Sequence, residues 1–376
     1  MGFDILSFTE KFLNKSNSYA FYKSNYDKLK KENKKLKRKL KNSNNARKRY
    51  KNKKIQAQKK LAEFTKPQIL DKIKNDEFDE LTVAIKSPNP TVDRKWGDYF
   101  FAHALKRSLE KKGFNVIIQE RENWYDDVEV DINIVLRGLR DYDINYDEIN
   151  LMWNISHPDM VTDEEYEKYD IVFIASEKYA NSLKTKLNTQ VETLFQCTDP
   201  EVFYTKKDDG LEEDILFVGV TREVYRQIVK DSLEKGHDVS IYGVGWEEFI
   251  DKKLIKGEFI PNNELYRYYS SCKILLNDHW EDMRELDFPS NRLFDALACG
   301  TFVISDDIPS ASTLFEGTIV TYSDADDLDE KINYYLDNPE KREELANKGK
   351  EIVLKNHTFD NRVDEILTYL KLLNAD

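Results

Sequence analysis

The sequence predicts an α/β protein with two Rossmann-like domains, whose parallel sheets face a cleft, preceded by a basic helical arm. Three observations predict this organisation. Short apolar runs alternate with helical stretches, which is typical of parallel strands that are covered on both faces. The alternation stops at a polar, acidic stretch over 205–213 and then restarts. Residues 22–61 carry 18 Lys and Arg against two acidic residues, in a chain of 376 residues with a net charge of −12.

The basic arm, residues 1–75, contains a candidate coiled-coil seam. Its positions follow a 3-4-3-4 spacing: Tyr26, Leu29, Asn33, Leu36 and Leu40. An Asn at an a position sets register in two-stranded coiled coils. The spacing fails after Leu40, so it supports a short coiled coil or helical hairpin that makes a homo-oligomer contact through residues 22–61. The charge leaves other interpretations open: a basic helix on an anionic membrane or polyanionic glycan, a nucleic-acid contact, which sparse aromatic residues disfavour, or a solvated helix.

The N-terminal Rossmann-like domain is predicted over residues 76–208. It opens with a buried strand, Leu81–Lys86, a turn at Ser87–Pro90 and a helix over 93–112 that ends at Gly113. Further strands are predicted over Asn115–Gln119, Ile132–Leu136, Asn150–Ile155, Ile171–Ala175 and Val191–Gln196, with helices over Thr162–Tyr169 and Lys178–Leu187. Apolar runs separated by helices in this way indicate a parallel sheet.

The C-terminal Rossmann-like domain is predicted over residues 209–356. Its strands are Asp214–Gly219, Val239–Tyr242, Lys273–Asn277, Thr301–Ser305 and Thr318–Thr321, and its main helices are Glu223–Lys235, Glu264–Ser271 and Asn291–Cys299. Ligands of such folds sit at the carboxyl ends of the strands, which in a two-domain protein means the cleft between the domains.

Residues 357–376 are predicted to form a final helix that packs back on the N-terminal domain. Thr358 is a favourable N-cap residue. One apolar stripe follows it, formed by Phe359, Val363, Ile366, Leu367 and Leu370. A terminal helix with such a stripe needs a partner surface.

Composition argues against several classes of protein. We find no apolar run long enough for a transmembrane helix, and the first residues do not have the pattern of a signal peptide. The cysteines, Cys197, Cys272 and Cys299, are widely spaced and indicate neither a disulfide framework nor a zinc site. We therefore expect a protein of the cytoplasm, with the basic arm as a candidate contact with the inner face of the membrane.

The most informative stretch begins at Asp287. The residues from Asp287 to Ser290 form a predicted loop, and a helix opens at Asn291. Free backbone N–H groups of Ser290, Asn291 and Arg292 are suited to phosphate oxygens, and the Arg292 side chain adds a charge-assisted contact. Asp295 is placed to accept hydrogen bonds from a ribose, and Asp287 to reach hydroxyls of a second sugar. The plainer alternative is an acidic loop followed by an amphipathic helix.

This stretch resembles the donor motif of retaining GT-B glycosyltransferases, in which two acidic residues with seven residues between them precede a Cys-Gly-like helix end. Here the pair is Asp287 and Asp295. The run Asn291–Gly300 is similar to that of the group 1 glycosyltransferase branch akin to the CgeB spore-maturation proteins. Ile215–Gly219, Ile241–Trp246 and His357–Arg362 extend the resemblance to the chain beyond the basic arm.

The resemblance implies a GT-B fold with an N-terminal acceptor domain and a C-terminal domain for a nucleotide-sugar donor. It implies transfer of a sugar to a hydroxyl acceptor, a cell-surface glycan or its lipid-linked precursor, usually with retention of the anomeric configuration. No cofactor is expected besides the donor. No D-x-D motif stands out, so metal dependence is not implied, and Asp306 is interpreted as a solvated loop acid. Both motif acids are Asp where the family usually has Glu, which shortens their reach by one methylene.

Four further residues are weaker candidates for donor binding. Gly219, at a strand end, and Arg222, before a helix, form a possible second diphosphate contact. Gly243 follows another strand, where a nucleotide base or ribose can rest. Gly97 opens the first helix and lets a phosphate or sugar approach the backbone. Ordinary turns and helix starts explain the same residues without a ligand.

His157 is the candidate catalytic residue beside Asp287. It follows a strand and precedes a helix, which places it at the carboxyl edge of the first sheet. It is suited to bind hydroxyls, or to act as a base if the reaction inverts. A histidine that is satisfied within a loop is the alternative.

Two rival functions use the same fold. A nucleotide-sugar 2-epimerase would share the donor site but needs more acid and base groups than His157 provides. A noncatalytic glycan-binding or scaffold protein would use the basic arm to oligomerise, and the two Asp-for-Glu differences are compatible with it.

Overall fold

The computed structural model describes residues 31, 35, 46–93 and 95–373. The chain divides into two compact units, residues 1–61 and 62–376. In the first unit, residues 46–61 are helical. The predicted coiled-coil positions, from Tyr26 to Leu40, lie outside the described residues. Within the described part of the chain, no helix has the length and apolar character needed to cross a bilayer.

The second unit begins with helix α1, residues 62–74, and then forms a six-stranded parallel sheet. The strands are β1 (Thr82–Lys86), β2 (Asn115–Gln119), β3 (Ile132–Arg137), β4 (Ile149–Asn154), β5 (Ile171–Ile174) and β6 (Gln190–Thr193). Their order in the sheet is β2-β1-β3-β4-β5-β6. Three helices connect successive strands of this sheet: α2 (Gly97–Lys111) lies between β1 and β2, α3 (Asp163–Tyr166) between β4 and β5, and α4 (Glu177–Lys184) between β5 and β6.

A second six-stranded parallel sheet follows, in the order β12-β11-β10-β7-β8-β9. Its strands are β7 (Glu213–Val218), β8 (Ser240–Tyr242), β9 (Ile255–Gly257), β10 (Cys272–Asn277), β11 (Val303–Asp306) and β12 (Val320–Tyr322). The helices after β7 are α5 (Gln227–Glu234), α6 (Leu265–Ser271), α7 (Glu281–Glu285), α8 (Asn291–Ala298), α9 (Pro309–Leu314), α10 (Ala325–Asp337), α11 (Pro339–Asn356) and α12 (Phe359–Leu372).

The predicted α/β class with two parallel sheets is confirmed. Every residue of β3 and β4 is buried, as expected for strands that are covered on both faces. In the second sheet, β8 pairs on one side of β7 and β10 on the other, so the chain reverses its direction of growth at β7. Ligands of α/β sheets bind beside such a reversal, at the carboxyl ends of the strands.

Some elements differ from the prediction. Helix α5 begins at Gln227 rather than at Glu223, because Arg222 and Glu223 adopt φ angles of 62° and 63°, which a right-handed helix does not allow. Strand β9 and helices α7 and α9 were not predicted. They have three, five and six residues, too few for a periodic pattern to stand out.

Helix α12 packs against the first sheet's layer of helices. Phe359, Val363 and Ile366 are buried in the core that also contains Phe101 of α2. The rings of Phe101 and Phe359 lie 4.7 Å apart, edge to face. Thr358 begins the helix with a reciprocal capping box. The last helix therefore connects the C-terminal domain to the N-terminal one.

Candidate functional site

The site lies where β7 and β10 end side by side. Leu276 of β10 pairs with Phe217 of β7, so Gly219 and the segment that starts at Asp278 emerge at the same edge of the sheet. Helix α8, which carries the predicted motif, starts at the end of the segment over residues 278–290, which contains the short helix α7. Parallel pairing thus brings three separate parts of the sequence together.

Three guanidinium groups converge at this edge, and we call Arg222, Arg226 and Arg292 the arginine cluster. A Cβ atom built on Gly219 would lie 2.7 Å from Nη1 of Arg226 and 3.1 Å from Nη2 of Arg292. Gly219 therefore lets two of the arginines approach its backbone closely. The sequence predicts Gly219, Arg222 and Arg292 for diphosphate binding, and the structure places Arg226 beside Arg292 at Gly219.

The arginine cluster has an excess of positive charge. Nε of Arg226 donates to the buried carboxylate of Asp278 at 2.8 Å. Burial, and then repulsion from Arg292 and Arg222, lowers the pKa of Arg226 to about 7, while the Asp278 carboxylate favours its charged form. Nη1 of Arg292 donates to the neutral amide oxygen of Asn277 at 2.8 Å, and Arg222 stacks on the ring of Trp280 at 4.0 Å. Burial, and then repulsion from Arg292, lowers the pKa of Arg222 to about 10, so it stays charged at neutral pH. Such a cluster attracts an anion that can bridge it.

A buried histidine orients the start of α8. Nε2 of His279 accepts the backbone N–H of Ser290 at 3.0 Å, so the proton of the ring must be on Nδ1, which lies 2.6 Å from Asp306. Burial lowers the pKa of His279, which agrees with a neutral ring. The Ser290 amide is therefore occupied, whereas Asn291 and Arg292 follow in the first turn, where helix amides have no intrahelical partner.

Asp295 is buried in α8 and holds two hydrogen bonds. Oγ1 of Thr198 donates to its Oδ1 at 2.8 Å, and Nδ2 of Asn291 donates to its Oδ2 at 2.7 Å. Burial nevertheless raises the pKa of Asp295 to about 8. The carboxyl is thus mostly protonated at neutral pH before any ligand binds.

Asp295 faces a cavity of about 270 Å³ between the two domains, which we call the interdomain pocket. Gly97 and Phe101 line it from the N-terminal domain, and Asn291, Arg292 and Asp295 line it from the C-terminal domain. Oδ1 of Asn291 is buried and has no hydrogen-bond partner among the described residues. A Cβ built on Gly97 would meet no atom within 4 Å, so the backbone at the start of α2 is open. These features suit a ligand that brings its own hydrogen-bond donors.

Gly243 has a role in packing. A Cβ at this position would lie 2.1 Å from the carbonyl oxygen of Gly219. The Gly219 amide donates to Tyr242 at 2.8 Å, and Trp246 donates to the Gly219 carbonyl at 2.8 Å. The close approach of the loops after β7 and β8 therefore accounts for Gly243 without a ligand, and a contact with a base or ribose stays a prediction.

Asp287 has a partner that the sequence did not indicate. Its side chain is buried, and Oδ1 accepts the backbone N–H of Ser310 at 3.0 Å, in the first turn of α9. The residue also adopts a φ of 62°, which turns the chain towards α8. Asp287 thus anchors α9 to the loop before α8, and its contact with a donor sugar stays a prediction.

His157 faces the second domain from the end of β4. Its ring lies 5.7 Å from that of Trp280, whose other neighbour is Arg222 of the arginine cluster. Nδ1 of His157 is buried and lacks a partner among the described residues. Burial lowers the pKa of His157, and the charge of Asp282 opposes this effect. The structure thus brings a largely neutral His157 close to the cluster.

The segment over residues 278–290 also holds the two domains together. Met283 and Phe288 are buried in a cluster of side chains from the first sheet, where Phe288 lies 5.9 Å from the ring of Tyr179. Oγ of Ser176 donates to the carbonyl of Leu286 at 2.6 Å. The start of α8 is therefore positioned by both domains.

Sequence reasoning missed Arg226, Asn277, His279 and Asp306. Asp306 is not a solvated loop acid, because it is 8% exposed and bonded to His279. A sequence signal was present for three of these residues. Asn277 ends one predicted strand, His279 follows two residues later, and Asp306 comes directly after another predicted strand. Polar residues at the carboxyl ends of parallel strands are candidates for a site. Arg226 had no such signal, because it was assigned to the first turn of a helix over Glu223–Lys235.

In the ranges that the structure describes, no group of three or more His, Cys, Asp or Glu side chains is arranged to hold a metal ion.

Comparison with known protein families locates a match in the C-terminal half. Residues 221–368 match the family described as glycosyl transferase-like. The spore protein CgeB of Bacillus subtilis is 24% identical over 170 residues, which cover 41% of this chain and 52% of CgeB. The match thus spans about half the length of this curated relative. The predicted resemblance to CgeB-like group 1 glycosyltransferases is confirmed.

Solved structures with the same architecture include a sucrose-phosphate synthase and the HepE protein. Sucrose-phosphate synthase from Thermosynechococcus elongatus matches 79% of this chain and 100% of its own, with a TM-score of 0.58 and 14% identity. Anabaena HepE, solved with UDP and glucose, matches 77% of this chain and 100% of its own, with a TM-score of 0.52 and 10% identity. At these identities the likeness establishes the fold, and the GT-B prediction is confirmed.

Proposed function

We propose that this chain is a glycosyltransferase that moves a sugar from a nucleoside-diphosphate sugar to a hydroxyl group. The observation that carries the proposal is the arginine cluster beside the first turn of α8. A diphosphate gains negative charge as it leaves, and groups already aimed at that charge lower the barrier. The family match over residues 221–368 includes all three arginines and supports the same conclusion.

We propose one orientation for the donor. We place its ribose in the interdomain pocket, where Asn291 and Asp295 offer oxygen atoms to its hydroxyls. The diphosphate then reaches Arg292 and the amides of α8, with Arg226 and Arg222 beyond. The sugar extends towards His157, which is suited to bind its hydroxyls. Domain closure around this arrangement would exclude water and limit hydrolysis of the donor.

The finer features of the reaction follow from the resemblance and the charge of the site. Retention of the anomeric configuration is usual in the resembled family. If the reaction inverts instead, His157 is the residue placed to take the proton of the acceptor. The three guanidinium groups supply positive charge of the kind that a metal ion contributes in other transferases, so we propose a metal-independent reaction.

The acceptor we propose is a cell-surface glycan or its lipid-linked precursor, made at the cytoplasmic side of the membrane. Support comes from the basic arm, whose described helical residues 46–61 include exposed Arg47, Lys48 and Arg49 and contain no acidic residue. Clustered Lys and Arg bind anionic lipid surfaces. The same arm is the proposed homo-oligomer contact.

The first test is a thermal-shift screen with UDP, GDP, dTDP and CDP and their sugars, because ligand binding raises the melting temperature. UDP-glucose is the first donor to try, since HepE was solved with UDP and glucose. Arg292→Ala should weaken binding of the preferred diphosphate about tenfold to a hundredfold, the loss of a charge-assisted hydrogen bond. Arg121→Ala, which removes a surface pair with Glu122, is the matched control.

Each outcome of the screen has a defined meaning. Unchanged affinity in Arg292→Ala would show that the diphosphate binds elsewhere. Nucleotide binding without turnover of any donor, in the presence of a broad set of acceptors, would favour the noncatalytic glycan-binding alternative. Conversion of one sugar nucleotide into its epimer would favour the 2-epimerase.

A further inference from the structure

A second cavity, which we call the edge pocket, opens at the carboxyl ends of β10, β11 and β12. Its volume is about 960 Å³, several times that of the interdomain pocket. All of its lining residues lie between Arg222 and Ala325, so the C-terminal domain forms it alone. The nucleoside proposed above does not occupy it.

The floor of the edge pocket is polar and buried. Asp231, Asp278 and Asp306 line it and are 6%, 8% and 8% exposed. Asp231 accepts a hydrogen bond from Gln227 and Asp278 from Arg226, whereas Asp306 accepts three, from the ring and backbone of His279 and from the Ser305 hydroxyl. A carboxylate has about four lone-pair positions, so each retains the capacity to accept more.

The rim combines aromatic and charged side chains. Trp280 and Tyr225 line it together with the exposed residues Glu281, Asp307 and Ser323. Acidic side chains outnumber arginines around the whole pocket, which disfavours an anionic ligand. Sugar hydroxyls donate to carboxylates and accept from guanidinium groups, while the apolar face of a sugar ring packs on aromatic side chains. The lining therefore fits a neutral carbohydrate.

The edge pocket lies on the far side of the diphosphate site. Arg222 and Arg226 line it, whereas Arg292 lines the interdomain pocket. Arg226 and Arg292 meet at Gly219, so the arginine cluster stands between the two cavities. A diphosphate on the cluster, with its nucleoside in the interdomain pocket, directs the sugar that it carries towards the edge pocket.

We propose that the edge pocket binds the acceptor as a neutral sugar chain, with the receiving hydroxyl beside the arginine cluster. This rests on the proposed function. In the transfer, the acceptor oxygen bonds to the anomeric carbon, the bond between that carbon and the diphosphate oxygen breaks, and the hydroxyl proton leaves with the diphosphate. The C-terminal domain then contacts the acceptor as well as the donor, beside the contribution of the N-terminal acceptor domain that the resemblance implies.

Blocking the pocket tests the proposal. Ser323→Cys places a thiol on its rim, and Ser182→Cys places one on the exposed surface of α4 as the matched control. The native cysteines are all buried, so a bulky maleimide should label only the new thiol. Each labelled full-length protein is applied to a glycan array that spans neutral, acidic and amino sugars, and its UDP binding is followed by thermal shift.

The labelled Ser323→Cys protein should lose glycan binding and keep UDP binding, while the labelled control keeps both. A second pair of variants avoids bulky groups. Glu281→Gln should weaken binding of the best neutral glycan about tenfold, as expected for one hydrogen bond to a charged group. Glu285→Gln, at the other end of α7, is the control and should leave binding of the same glycan unchanged.

The proposal is overturned if no neutral glycan on the array binds, or if glycan binding survives the label at position 323. Binding restricted to acidic glycans overturns it as well. Failure of the proposed function would look different: glycan binding would depend on the edge pocket, yet no nucleotide or sugar nucleotide would bind or turn over.

Discussion

Replacing Asp295 by Asn should make the protein's stability less dependent on pH. Burial raises the pKa of this carboxyl from 3.8 to about 8. Between those values the native protein holds a proton that the unfolded chain has lost, so the free energy of unfolding falls as pH rises. Each unit of pKa difference corresponds to about 1.4 kcal/mol, which gives a loss of about 3–4 kcal/mol between pH 5 and pH 8, because the native carboxyl begins to lose its own proton near pH 8. An amide has no such proton, and Asp295→Asn removes this loss.

The assay is urea denaturation of the wild type and Asp295→Asn at several pH values from 5 to 8. Other titrating groups contribute equally to both proteins and cancel in the difference. The amide loses one of the two hydrogen bonds, to Thr198 or to Asn291, at a cost of about 1 kcal/mol that does not vary with pH. Asp238→Asn, at an exposed position, is the control and should follow the wild-type pH profile.

The expected result is that the variant gains stability relative to the wild type as pH rises, and ends more stable at pH 8. If the free energies of unfolding of the wild type and Asp295→Asn changed in parallel with pH, the reasoning would be refuted, because Asp295 would then be ionised throughout this range. The two hydrogen bonds would then outweigh burial, and the site would hold a charged carboxylate before any ligand binds.

Two further substitutions test how the site is held. Gly243→Ala should lower the free energy of unfolding by about 2–3 kcal/mol and weaken nucleotide binding, because its Cβ would lie 2.1 Å from the Gly219 carbonyl oxygen. Thermal melting compares the stability of Gly243→Ala with that of Gly97→Ala, whose Cβ meets no atom within 4 Å. Equal melting temperatures of the two variants would contradict the prediction. Phe288→Ala should cost about 3–5 kcal/mol and reduce diphosphate affinity, since this fully buried ring fixes the loop before α8 to the N-terminal domain. Phe259→Ala is the control: because this side chain is 47% exposed, its loss should change neither the free energy of unfolding nor the diphosphate affinity.

The fold class was readable from the sequence because its signals are local. The runs Leu81–Lys86 and Ile132–Leu136 are apolar and short, and such runs separated by helices allow few arrangements other than parallel sheets. The start of α8 at Asn291 was equally readable, since helix starts depend on a few neighbouring residues. Helix α5 was placed too early because the positive φ angles of Arg222 and Glu223 have no sequence pattern that announces them.

By itself the sequence determined that two parallel sheets form and that residues 287–300 carry a donor-like motif, because both depend on contiguous residues. Only the tertiary structure decided which side chains meet. Arg226 and Arg292 share the backbone of Gly219, and His279 joins Ser290 to Asp306, because β7, β10 and β11 are neighbours in the sheet. Burial is equally non-local, and it is the main cause of the raised pKa of Asp295. Strand order and burial are set by packing of the whole domain, which no short stretch of sequence contains.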